Sequence, residues 1–172
     1  MTLIKARSRG INLADTFNFT GTLQQNGGAI AGGKILQVQH TSDYNVSTST
    51  TTSFASLVSV NITPNNASNK ILLLGQIGEP DRCDGRLAVR FYKAGSWAGS
   101  SNSARILSEL GRGLSNTGDE THRGNVSSMF MDTAGGTSEI TYAIYYARTQ
   151  SSGSVRVGNG APQVITAMEI EV

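Results

Sequence analysis

Gly28, Gly33 and Lys34, in the stretch QQNGGAIAGGKILQVQH from Gln24 to His40, satisfy the spacing G-x-x-x-x-G-K of a phosphate-binding loop. In such a loop glycine N–H groups wrap the phosphates. A helix starts right after the lysine, and a neighbouring Ser or Thr holds magnesium. Here Ile35 follows Lys34, and Leu36, Val38 and His40 alternate with Ile35, Gln37 and Gln39, which is strand periodicity. No strand-like run precedes the glycines. The spacing therefore reads as a hinge before a strand, in which Gly27, Gly28, Gly32 and Gly33 let the chain turn because glycine tolerates positive φ.

The other reactive side chains are scattered. His40 and His122 are the two histidines, and triad and metal schemes need one with a carboxylate or thiol held close. His40 ends an apolar strand face. His122 shares a loop with Asp119 and Glu120, with no second cluster to complete a metal site. Glu79, Asp81 and Asp84 crowd the loop EPDRCDG, but not at the alternating positions of a calcium loop. Cys83 has Arg82 and Arg86 beside it, which lower a thiol pKa, yet no histidine nearby in sequence to carry a proton. These residues predict no catalytic centre, no metal and no cofactor. Trp97, the single tryptophan, falls in the Gly/Ser-rich run AGSWAGSSNS. An exposed loop tryptophan is a contact residue, so Trp97 and His122 are the candidates for touching a receptor or partner.

The elements that must carry these residues are strands. The chain has 172 residues, 15% of them charged, with a net charge of +2, 20 glycines and 3 prolines. That suits one turn-rich all-β domain and argues against nucleic acid or an anionic membrane as a main partner. One cysteine permits no intrachain disulfide and fits manufacture in a reducing cytoplasm. MTLIKARSRG has no apolar run behind its basic residues, unlike a secretory signal. No segment approaches the length of a membrane-spanning helix.

From Lys34 onward the pattern predicts strand after strand. Lys34–His40 comes first, and Asn45–Ser53 is a loop or exposed edge. Phe54, Val58, Val60 and Ile62 share a strand face. Lys70–Ile77 (KILLLGQI) is continuously apolar and is expected to be buried on both faces. RLAVRFYK follows, then Ala104–Leu110, read as a strand rather than a short helix. NVSSMFMD places Val126, Ser128 and Phe130 together. EITYAIYYAR, SVRV and QVITAMEIEV complete about eight strands. No long helix separates them, which excludes a parallel βαβ sheet. The expected fold is an antiparallel β-sandwich, specifically a jelly roll, over residues 34–172. Residues 1–33 read as an extended N-terminal arm with a glycine hinge. Ile11, Leu13, Phe17 and Phe19 give the arm too little apolar surface to order alone, so it needs a further surface to lie against.

The arm segment KARSRGINLADTFNFTGTL resembles a recurring SRGINLADTF-x-FTGT segment of small virion proteins of marine tailed phages, including phages of cyanobacteria. GGKILQVQHTSDYN, SVNITPNNASNKILLL and ITAMEIEV resemble the strand–turn pattern of the same group. The resemblance leaves out roughly Gly78 to Thr137. It implies a non-enzymatic β-sandwich on the virion surface, forming a homotrimer. Such a protein decorates the capsid or forms head fibres, with the major capsid protein or another virion protein as partner. In that role Arg9, Ile11, Leu13, Phe17 and Phe19 make the arm's assembly contacts. The alternative is a short tail-fibre or appendage protein reading host surface glycans through AGSWAGSSNS and GRGLSNTGDETHRG.

Overall fold

A computed structural model of the chain describes residues 33–80, 86–98, 125–149, 153–158 and 160–172 in full, and the strand course alone at 24–25, 28–29 and 105–110. The chain divides into two units, Met1–Gly32 and Gly33–Val172. In the first, β1 (Gln24–Gln25) pairs antiparallel with β2 (Gly28–Ala29). The arm positions Arg9, Ile11, Leu13, Phe17 and Phe19 lie outside the described residues.

The second unit is built of strands. In chain order these are β3 (Ile35–Asp43), β4 (Ser47–Ser49), β5 (Ala55–Ile62), β6 (Lys70–Ile77), β7 (Leu87–Lys93), β8 (Ser96–Trp97), β9 (Arg105–Leu110), β10 (Val126–Thr133), β11 (Ile140–Arg148), β12 (Val155–Val157) and β13 (Gln163–Ile170). One sheet runs β10-β6-β13-β3. The other runs β5-β11-β7-β8, with β9 also pairing β7. Every pairing is antiparallel. Along the chain the long strands swap sheets repeatedly, an interleaving compatible with the expected jelly roll. Lys34 leads straight into β3, so the glycine–lysine spacing opens a strand and no helix.

The two sheets meet over one core, a β-sandwich. Ile71, Leu73 and Ile77 from β6, Ile165 and Ala167 from β13, Leu87, Val89 and Phe91 from β7, and Tyr142 and Ile144 from β11 are all fully buried. At Gly75 the two sheets are in close contact. A Cβ there would stand 2.7 Å from Cε1 and Cζ of Phe91, whose ring stacks on Phe130 at a centroid distance of 6.3 Å. Glycine at this point lets an aromatic ring from one sheet lie against the backbone of the other.

Three segments differ from the sequence reading. Ser47–Ser49, within the polar run 45–53, pairs with Val155–Val157 as a short ribbon. Trp97 does not sit on a free loop. Ala94 and Gly95, with φ of 49° and 78°, make a tight turn that folds Ser96–Trp97 back onto β7. The third is β6, whose two faces are not both buried. Ile71, Leu73, Gly75 and Ile77 are, while Lys70, Leu72, Leu74 and Gln76 are half-buried. The strand is central in its sheet, but among the described residues no second layer covers its outer side.

Candidate functional site

Two surfaces and two inward-facing polar clusters gather the side chains with chemical potential. The first surface lies on the outer side of the five-stranded sheet. Alternation along β7 turns Phe91 inward and Arg90 and Tyr92 outward. The Arg90 guanidinium lies 3.7 Å from the Trp97 ring centroid and 4.4 Å from that of Phe54. Trp97 Nε1–H donates to Tyr92 Oη at 2.6 Å. Tyr145, from the neighbouring β11, stacks on Tyr92 at 4.0 Å with the rings 15° apart, and Phe54 meets Trp97 edge-on at 6.4 Å. The result is a braced aromatic platform with one arginine layered into it, and each contact is attractive in its own right. Trp97 keeps a half-exposed indole. Its N–H and the ring area under Arg90 are already engaged.

The second surface is the outer side of the four-stranded sheet. Registers of the three pairings line up four rows of four outward residues: Met131–Leu72–Met168–Val38, Met129–Leu74–Thr166–His40, Ser127–Gln76–Val164–Ser42 and Thr133–Lys70–Ile170–Ile35. Met129 is 70% exposed, Ile35 53% and Val38 51%. Among these positions the one charged side chain is Lys70, in the last row, where its Nζ donates to Thr133 Oγ1 at 2.8 Å. No carboxylate is present in the four rows. A depression of about 360 Å³ lies in the face, with Leu74, Gln76, Ser127, Met129, Val164 and Thr166 among its walls.

The two inward-facing clusters are structural. Glu169 is fully buried in β13. It accepts hydrogen bonds from Gln37 Nε2 at 2.7 Å, Asn69 Nδ2 at 2.6 Å and the Asn65 N–H at 2.7 Å. Burial pushes its carboxyl up, but the bonds from Gln37, Asn69 and the backbone of Asn65 and Asn66 outweigh that and hold it below its ordinary value. In the same row of the sheet, with Ile71 between it and Glu169, half-buried Asp132 takes the Tyr142 hydroxyl at 2.7 Å and the Lys93 ammonium at 2.8 Å. Burial, and then the hydrogen bond and charge of Asp132, push the Tyr142 phenol far up. This cluster ties β10 to β7 and β11 across the sheets.

Of the residues singled out from sequence, Trp97 is in the aromatic platform. His40 is exposed on the outer side of β3, its Nδ1 sharing a hydrogen bond with Thr166 Oγ1 at 3.0 Å. His122, Asp119, Glu120, Asp81, Cys83 and Asp84 lie outside the described residues. Among the described residues no three of His, Cys, Asp and Glu group as a metal site, and no helix is long and apolar enough to cross a membrane. Sequence reasoning missed Arg90 and Phe54 as partners of Trp97 and Tyr145 as the partner of Tyr92, and it missed the outward apolar face. Phe54 lies 43 residues from Trp97, and alternation groups it with Val58, Val60 and Ile62; those three are buried, while the register shift where β5 passes Ile144 and Tyr145 leaves Phe54 with the outward platform. The apolar face did leave a signal: both sides of KILLLGQI and of QVITAMEI carry apolar residues.

No protein-family model and no curated protein matches this chain. Among solved structures it is similar to the C-terminal domain of EclA, a sugar-binding protein, with 13% identity over 81% of this chain and 86% of that one and a TM-score of 0.35. At that level no residue role passes from that domain to this chain.

Proposed function

We propose that this chain is a non-enzymatic structural protein of the phage particle surface. It is a homotrimeric capsid decoration or head-fibre protein held to the particle by its N-terminal arm. One observation carries this reading: the outer face of the four-stranded sheet is apolar and nearly free of charge, the texture of a protein–protein contact rather than of a water-facing sheet. The arm's resemblance to virion proteins supplies the setting, and its partner there is the major capsid protein or another virion protein. The test is imaging of intact particles, together with a chain lacking residues 2–20. The truncated chain folds, by circular dichroism, and fails to join particles. Full incorporation of the truncated chain overturns the proposal.

A second reading has its own observation. The braced platform around Trp97 is a surface on which a sugar ring can stack, as a short tail-fibre or appendage protein binding host glycans requires. Low copy number confined to the tail, with adsorption lost in Trp97→Ala, favours it. A blank glycan array and unchanged adsorption remove it.

A further inference from the structure

We infer that the outer face of the four-stranded sheet is covered by another copy of this same chain. The inference rests on the proposal that the chain works by assembly, and it names the surface and the partner.

Three features select an identical copy over a different molecule. The first is extent. Ile35, Val38, Met129 and Met131 alone leave on the order of 400 Å² in water, and the half-buried rows between them bring the face to about the 800 Å² per partner of a standard interface. The second is charge. Partners of different sequence are steered and registered by opposite charges, and this face offers none at its centre to read. A face meeting its own copy must instead avoid like charges, and these rows do so. Lys70 sits in the end row, tied to Thr133. The third is shape. Met129, a projecting side chain, stands at the rim of the depression walled by Leu74, Gln76 and Val164. A knob and a hole side by side on one surface let each copy seat its knob in the hole of the next, a contact that can close as the threefold ring of the proposed trimer.

The test uses the purified full chain and peroxide footprinting of Met129 and Met131, with sedimentation velocity over a dilution series. A covered thioether oxidises slowly. The expected result is an oligomer in which both methionines are protected at high concentration and lose protection on dilution. Val38→Glu and Met131→Glu, at exposed positions of the two edge strands, stay folded and weaken association about a hundredfold or more by facing like charges. Ser59→Glu, on the outer side of the opposite sheet, leaves it unchanged. The inference is overturned if the chain is monomeric with both methionines freely oxidised. It is equally overturned by protection that does not change on dilution, which means a cover from within the same chain, or by an oligomer indifferent to the Val38 and Met131 changes. A chain that associates through this face yet is absent from particles keeps the inference and removes the structural role. A chain monomeric in solution yet present on particles does the reverse.

Discussion

Asn69 donates its side-chain amide to Glu169 at 2.6 Å from a hundred residues away in the chain, inside the core. Together with the Asn65 N–H and Gln37 Nε2, this bond fixes the turn between β5 and β6 onto the last strand. Gln37 also reaches the Thr63 carbonyl at 2.6 Å, so the latch takes in β3 as well. The carboxylate needs no cation because neutral donors surround it.

Removing that carboxylate strands several donors at once. Glu169→Ala is expected to cost about 2–4 kcal/mol, read as a shift in urea midpoint with an unchanged slope. Glu169→Gln keeps the shape but points an amide N–H₂ at other donors, and it should recover less than half of the loss. A Glu169→Gln protein as stable as wild type removes the latch as a stabilising element.

Acid should loosen the sandwich through the same residue. The folded pKa of Glu169 lies below its ordinary value of 4.5. Its contribution is therefore complete above that value and disappears as pH falls through the folded one. Stability measured by denaturation from pH 6 down to about pH 3 should fall for wild type and fall less steeply for Glu169→Gln.

At the alkaline end Tyr142 has the opposite sign. Its folded pKa is raised by burial and by Asp132, so its contribution is complete below the ordinary phenol value of about 10 and is lost as pH rises beyond it. Spectrophotometric titration should leave Tyr142 un-ionised while the fold persists. Asp132→Ala should remove the Lys93 ion pair and the Tyr142 hydrogen bond, costing about 1–3 kcal/mol. Lys93 retains the carbonyls of Thr133 and Ala134, which limits the damage on its side.

Gly75 packs directly against Phe91 of the opposite sheet. Gly75→Ala drives a methyl against the Phe91 ring and to 3.1 Å from Ile144 Cδ1. Phe91 is itself held by Phe130, so relief has to come from the backbone, and a loss of about 1–3 kcal/mol is expected. The double change Gly75→Ala with Phe91→Leu should cost less than the sum of the two single changes. Simple additivity would show that the ring and the glycine are not in conflict.

Trp97 is the one tryptophan in the chain, so its fluorescence reports the aromatic platform without interference. Arg90→Leu removes the cation over the indole and should change both intensity and emission wavelength in the folded protein. Trp97→Ala should cost about 1–3 kcal/mol, from the cation–π contact and the hydrogen bond to Tyr92. An emission spectrum untouched by Arg90→Leu would contradict the layered arrangement.

Much of the architecture could be read from residue order. Alternation is a property of neighbours: Ile140, Tyr142, Ile144 and Tyr146 announce β11, and the strand expected over 104–110 is β9, Arg105–Leu110. The antiparallel sandwich follows from many such runs with no helix between them. KILLLGQI has one buried and one half-buried face, because an apolar run records two apolar faces without recording whether each has a layer above it. The candidate surfaces were harder still. Trp97 was visible as a lone aromatic in a Gly/Ser run, but Arg90 looked like an ordinary outward strand residue, and Phe54 like the start of another strand.

A period of two gives each strand its two faces from nearest neighbours alone, and it is silent on which one turns to the core. In β13 the bulkier set, Val164, Thr166, Met168 and Ile170, lies outward, while Ile165, Ala167 and Glu169 turn in. That orientation comes from contacts made by residues far away in the chain. Asn65, Asn69 and Gln37 capture Glu169, and the opposite sheet packs over Ile165 and Ala167. Once those contacts form, a one-residue slip would bury Thr166 and expel a satisfied carboxylate. The apolar residues left facing out are therefore a result of packing, not of strand pattern.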